Sequence, residues 1–212
     1  MNELFHPDEL QVQVVPSYSF SQEIIITNIM KLYDIDRFYI DVCYSKGNFY
    51  KHDIPEPVFK YDIEPKTKDT IKCDSRKLPH ENDSAKSIMF DPPFLTVFQK
   101  KGESVIKDRF GFYNTLEELY SMYCDSLSEF YRVLKPGGIV VFKCMDFVCS
   151  GKQNWSHVHV FNMASIIGFY PLDFFICLSK TVMLNKSLKF TQRHARKYHS
   201  YFWVFKKNKQ KA

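Results

Sequence analysis

The chain has six cysteines in 212 residues but no C-x-x-C pair and no regular cysteine framework. That excludes a disulfide scaffold and a zinc ribbon, and it fits a reducing cytosol. A basic-then-apolar leader is missing, and no apolar run approaches the ~20 residues that span a bilayer. The protein is therefore expected to be soluble and cytoplasmic, with no membrane partner. Internal repeats are also missing, and the one biased stretch is a short basic tail from Lys206 to Ala212, expected to fray. One domain over 1–212 is expected, with 1–20 as a polar lead-in. Excess charge is small at +5, but it is unevenly placed. Arg193, Arg196 and Lys197 lie beside His194, His199 and aromatic residues near the C-terminal end, a mixture that suits phosphate contact and base stacking.

What the chain does have is a series of short apolar runs, each closed by an acid: Phe38–Asp41, Val58–Asp62, Thr70–Asp74 and Ser87–Asp91. Runs of this kind read as buried parallel strands. Carboxylates at their C-terminal ends stand where open α/β sheets bind ligands. Ser21 or Ser19 is placed to cap a preceding helix whose apolar positions are Ile24, Ile25, Ile29 and Leu32. A second helix fits Thr115 to Leu134, with Thr115 and Glu118 at capping-box spacing, and stops at a Lys135–Gly138 turn. Ile139–Cys144 reads as a fifth strand and His157–Ile167 as a helix ended by Gly168. Pro171–Leu178 and Ser200–Lys206 read as a closing antiparallel hairpin. The alternation predicts a doubly wound, mostly parallel α/β sheet of seven strands.

Asp91-Pro92-Pro93-Phe94 follows the fourth strand directly. Two prolines remove two backbone donors and stiffen the chain, so carbonyls beside them are held toward one point. The amino nitrogen of a base has its lone pair delocalised into the ring. Acceptors at Asp91 and the Pro92 carbonyl would take its two N–H groups and favour the pyramidal, nucleophilic form, while Phe94 stacks on the base plane. The motif resembles the (D/N/S)-P-P-(Y/F/W) signature of S-adenosylmethionine-dependent amino methyltransferases. The resemblance implies a Rossmann-like class I methyltransferase fold, with Asp91, Pro92, Pro93 and Phe94 as catalytic residues. Asp rather than Asn at position 91 tilts the expected target toward N6 of adenine.

Asp41-Val42-Cys43-Tyr44-Ser45-Lys46-Gly47 is similar to the same family's D-x-(F/C)-x-G-x-G cofactor loop. Asp41, Cys43 and Gly47 match, and Ser45 stands where the family has its first glycine. Asp62, 21 residues after Asp41, is expected on the cofactor ribose, with Glu64 as a rival. Asp74 resembles the residue that accepts from the cofactor's adenine amine. Leu134-Lys135-Pro136-Gly137-Gly138 also looks like this superfamily. S-adenosyl-L-methionine is thus the implied cofactor, and nucleic acid, DNA more than RNA, the implied partner. Lys100, Lys101 and Arg109 in the loop after Phe94 join Arg193, Arg196 and Lys197 as expected nucleic-acid contacts. No metal is expected. His157, His159, Cys144 and Cys149 read as packing residues, and methyl transfer from a sulfonium needs no metal.

A chain this short is expected to have limited sequence specificity, or to borrow it from a protein partner. Two other readings remain open at this level. One is an RNA-base or protein (Gln/Lys) amino methyltransferase. The other is a nucleic-acid-binding pseudoenzyme, for which Ser45 is the motive.

Overall fold

A computed structural model of the protein describes residues 14–94, 113, 115–149, 151–180 and 193–208. In chain order the elements are β1 (Tyr18–Ser19), α1 (Gln22–Leu32), β2 (Ile40–Asp41), β3 (Phe59–Asp62), β4 (Ile71–Lys72) and β5 (Ala85–Phe90). They continue with α2 (Leu116–Val133), β6 (Leu134–Cys144), β7 (Phe147–Cys149), β8 (Lys152–Asn154), α3 (Ser156–Ile167), β9 (Phe169–Leu178) and β10 (His199–Lys207).

Eight strands form one sheet in the order β1-β9-β10-β6-β5-β2-β3-β4, and β7 and β8 make a small separate ribbon. From β6 to β4 all neighbours run parallel. β10 is antiparallel both to β6 and to β9, the expected closing hairpin. The count of seven strands needs correction, because Tyr18 and Ser19 pair parallel with Ile176 and Cys177 as an eighth. This pairing gives the outer edge of β9 a partner: the Ile176 amide donates to the Ser17 carbonyl at 2.8 Å.

Local chemistry sets the helix ends. Ser21 is the N-cap of α1, its side chain accepting from the Ile24 amide at 3.4 Å. The buried face is Ile25, Ile26, Ile29 and Met30. Ile24 and Leu32, expected on that face, are 52% and 45% exposed, since the stripe is rotated by one residue. Thr115 caps α2 by accepting from the Glu118 amide at 3.1 Å. Gly168 ends α3 in the left-handed region at φ 114°.

Helices cover both faces of the sheet. α2 and α3 set Leu127, Phe130, Val160 and Ala164 against Phe90 and Phe142 on one face. On the other, α1 sets Ile26 and Ile29 beside Met89, Val141 and Phe202. The strict strand–helix alternation is not observed between β2 and β5, where every connection is a loop. Residues 42–58 cannot coil into a helix. They hold Ser45, Gly47 and His52 at positive φ, together with Pro55 and Pro57. Buried Tyr44, Phe49, Tyr50 and Ile54 cover the sheet there instead. β4 also departs from expectation: it is an exposed edge strand, with Ile71 56% exposed.

Lys135–Gly138 is not a turn outside the sheet but part of β6. Ala85 pairs with Leu134 and Ser87 already pairs with Ile139, so these four residues bulge opposite Lys86 alone. Gly137 sits at φ 86°, and a Cβ on Gly138 would lie 2.9 Å from the Lys135 carbonyl and 3.1 Å from that of Lys86. The basic tail is likewise corrected at its start. Lys206 and Lys207 belong to β10, and the nearly buried Lys207 ammonium donates to Asp83 and to the Tyr131 carbonyl, both at 2.6 Å.

Candidate active site

Parallel pairing places the ends of β2, β3 and β5 side by side, and with them Asp41, Asp62 and Asp91. Asp41 is 2% exposed. Its Oδ1 accepts from the Cys43 amide at 2.8 Å and its Oδ2 from the Tyr50 hydroxyl at 2.7 Å. Burial pushes its carboxyl up to about 7; Asp91 and Asp62 add to the rise, while the Tyr50 and Cys43 donors hold it back. Burial also raises the Cys43 thiol well above its ordinary range.

The loop after Asp41 turns through Ser45 at φ 51° and Gly47 at φ 65°. Both positions of the glycine pattern thus lie in the left-handed region, and Ser45 adopts there what a glycine adopts at lower cost. The Ser45 amide donates to Asp62 Oδ2 at 2.9 Å, and the Glu64 amide donates to Oδ1 at 2.8 Å. Glu64 itself is largely exposed and paired with Lys66 at 2.7 Å, so Asp62 is the acid held at the loop.

Asp74 lies two residues beyond β4 and is gripped by Arg76. The guanidinium reaches both carboxylate oxygens, the closest contact being 2.6 Å, and holds the carboxyl below its usual range.

Asp91 is different from these. Its Oδ2 accepts from Lys143 Nζ at 3.2 Å. Its Oδ1 is buried and has no hydrogen-bond partner, the one such side-chain atom among the described residues. Burial raises the carboxyl, and Lys143 opposes the rise. The rest of the motif is fastened from α2: the fully buried Tyr123 donates its hydroxyl to the Pro93 carbonyl at 2.7 Å. Phe94 lies with its ring centroid 5.6 Å from Lys143 Nζ.

Asp146, two residues past β6, is another buried acid. It accepts from His157 Nδ1 at 2.8 Å, from the His157 amide at 3.3 Å and from the Tyr201 hydroxyl at 3.3 Å. Together with Met145, Phe147 and Val148 it lines a cavity of about 350 Å³ whose other wall is His194–Lys197. The expected basic contacts Arg196 and Lys197 therefore stand beside the end of β6, the neighbour of β5, and exposed Arg193 adjoins them. Lys197 is 5.3 Å from the Trp155 ring centroid. Lys100, Lys101 and Arg109 lie outside the described residues.

Sequence reasoning missed Lys143, Tyr123 and Asp146. A lysine within the apolar run Ile139–Cys144, and an acid two residues after it, are the signals that could have found two of them.

Comparison with known proteins bears on the same elements. A family model described as DNA methylase, N6_N4_Mtase, matches residues 85–212. No curated protein matches the chain. Among solved structures, a putative DNA modification methylase from Thermus thermophilus, complexed with S-adenosyl-L-methionine, is similar at 20% identity and TM-score 0.46. The similarity covers 66% of this chain and 55% of that one, so the chain spans about half that methylase's length. TrmN from Thermus thermophilus is similar at 14% identity and TM-score 0.51, over 89% of this chain and 50% of that one. An S-adenosylmethionine-dependent methyltransferase from Methanosarcina mazei is similar at 12% identity and TM-score 0.50, over 85% and 97%. The last two likenesses agree on the Rossmann-like class I methyltransferase fold. The family model covers more than half of the sequence, from the strand that carries Asp91 through the closing hairpin. The chain belongs to the N6_N4_Mtase family of DNA methylases, the S-adenosylmethionine-dependent amino methyltransferases.

Proposed function

We propose that this protein is a methyltransferase that modifies the exocyclic amino group of a base in DNA, with N6 of adenine as the favoured position. The observation that carries this reading is Asp91 Oδ1: a buried acceptor without a partner, directly before two stiff prolines, on a carboxyl held by a lysine that also lies 5.6 Å from the Phe94 ring centroid. An unsatisfied buried acceptor costs about 1–3 kcal/mol, and a bound N–H donor removes that cost.

The residues present fit S-adenosyl-L-methionine. Asp41, Cys43, Ser45 and Gly47 lie at the end of β2 and on the loop that leaves it, where the Ser45 amide ties the loop to Asp62, and an acid beside this loop suits a ligand that is cationic at its sulfonium and ammonium groups. Asp74 stands at the next strand end, where it is expected to meet the cofactor's adenine. When bound, the cofactor supplies a methyl group already activated by its sulfonium. The protein's part is alignment and hydrogen bonding. Asp91 accepts an N–H of the target amine and holds its lone pair out of the ring plane. Phe94 stacks on the base, and Tyr123 fixes the Pro93 carbonyl so that the segment does not relax. A base in duplex DNA must be flipped out first, at a cost of a few kcal/mol, which stacking and backbone contacts through Arg193, Arg196 and Lys197 offset.

The test is methyl transfer from labelled cofactor to unmethylated genomic DNA, total RNA and protein, with nucleosides resolved by mass spectrometry. N6-methyladenine in DNA is expected, falling about a hundredfold or more in Asp91→Ala, the scale set by removing one electrostatic partner of a transition state. N4-methylcytosine would move the target base, and label in RNA or protein alone would move the substrate. Absence of transfer with intact binding of S-adenosylhomocysteine would overturn the reading.

A further inference from the structure

Lys143 lies in β6 between Phe142 and Cys144, both fully buried, and its own side chain is only 13% exposed. A lysine at such a place ordinarily runs its stem along apolar surface and lifts its ammonium into water. This one keeps its ammonium inside. Following Ile139 and Val141 on the face toward α1, it donates to Asp91 Oδ2 at 3.2 Å and to Gln22 Oε1 at 3.3 Å, at the first residue of α1. It also sits 5.0 Å from the ring centroid of Phe49 and 5.6 Å from those of Phe94 and Phe202. Holding a cation in so apolar a strand is costly unless it is paired, and the pair here is a carboxylate whose second oxygen has nothing bound to it.

We propose that Lys143 is a positioning residue of this site: its ammonium, seated among three phenylalanine rings, clamps Oδ2 of Asp91 so that Oδ1 stays turned toward the amine to be methylated. The inference rests on the functional reading above. A carboxylate turns freely about its last bond unless one oxygen is fixed. Lys143 fixes one, and the same ammonium lies over Phe94, so the acceptor and the stacking ring are referenced to a single charge. Among the described residues, the groups facing Asp91 are Asp41 and Cys43 at the end of β2, Cys144 and Lys143 on β6, and Tyr123 on α2. Lys143 is the cation among them. Its charge therefore opposes the rise that burial imposes on the Asp91 carboxyl and favours the ionised form, which accepts hydrogen bonds from an amine.

The test is a carbon-13 NMR titration of the Asp91 carboxyl in the full chain, assigned with Asp91→Asn, in wild type, Lys143→Met, Lys143→Gln and Lys143→Arg. Losing an opposite charge at this distance is expected to raise the midpoint by about one to three pH units in the Met and Gln variants, and Arg is expected to restore it. The acid limb of the pH profile for methyl transfer should move with the midpoint, with S-adenosylhomocysteine binding retained. The titration needs no turnover. A shifted midpoint in a wild-type protein that methylates nothing would sink the functional reading and leave the clamp standing. An unmoved midpoint in whichever neutral variant folds, in an active enzyme, would overturn the clamp alone.

Discussion

The backbone amide of Ser45 donates to Asp62 Oδ2 at 2.9 Å, so the loop leaving β2 is tied to the end of β3 by the residue that replaces a glycine. The tie depends on Ser45 holding φ 51°, which costs a residue with a side chain about 1–2 kcal/mol. Ser45→Gly removes that strain, while added freedom in the unfolded chain takes back about 0.5–1 kcal/mol. The expected result is a stability between unchanged and about 1.5 kcal/mol higher, read by urea denaturation. Ser45→Val should lower stability and weaken S-adenosylhomocysteine binding. A Val variant equal to wild type in both would show that the loop reshapes without cost.

Asp41 gives a prediction with a sign. Its carboxyl is raised from 3.8 in the unfolded chain to about 7 in the folded protein, chiefly by burial. The stability that this proton supplies is fully present below about 3.8 and is lost as pH rises through about 7. Asp41→Asn cannot ionise, so its melting temperature should improve relative to wild type as pH rises from about 3.8 to about 7, and the difference should level off above that. A constant difference across that range would mean that Asp41 is ionised throughout.

Arg193, Arg196 and Lys197 are proposed to contact the DNA backbone, and salt dependence is the property that separates phosphate contact from a solvated loop. Replacing all three with alanine should reduce the slope of log affinity against log salt by about 0.9 for each phosphate lost. Fluorescence anisotropy with a labelled duplex measures this. A weakened complex with an unchanged slope would remove these residues from the phosphate interface.

A structural prediction concerns Arg132 near the end of α2. It donates to both oxygens of Glu129, to the His80 and Leu78 carbonyls and to Asn82, joining the helix to the loop before β5. Glu129 in turn accepts from the Leu78 amide at 2.7 Å. Arg132→Ala leaves the half-buried Glu129 without its cation and is expected to cost about 1–3 kcal/mol in thermal or urea unfolding. Arg132→Lys, which lacks the planar fork, should recover only part of it. Full stability in the alanine variant would show that the loop is held by other contacts.

Much of this arrangement was legible in the sequence, because acids placed after short apolar runs obey a simple rule of parallel sheets. Asp41, Asp62 and Asp91 arrive together for that reason. Capping residues Ser21 and Thr115 were legible for a similar reason, since their chemistry is local. What was not legible depends on partners far away in the chain. Nothing near Lys143 says that Asp91, 52 residues earlier, will hold it inside. Pairing of Tyr18 and Ser19 with β9 is equally non-local. The helix-free connections after β2 were obscured because Tyr44, Phe49 and Tyr50 supply the apolar cover a helix would have supplied.

The position of β10 has a consequence for synthesis. The strand is read late, at residues 199–207, yet it lies between β6 and β9 and pairs with both. While a ribosome is still adding those residues, β6 and β9 have no common neighbour, and apolar side chains such as Val141 and Phe175 wait uncovered for Phe202 and Val204. The sheet cannot close from its beginning as it emerges; it closes by late insertion of a strand into a gap. A stalled or clipped chain lacking that strand would present two open edges to its neighbours, making the nascent form a natural client for chaperones.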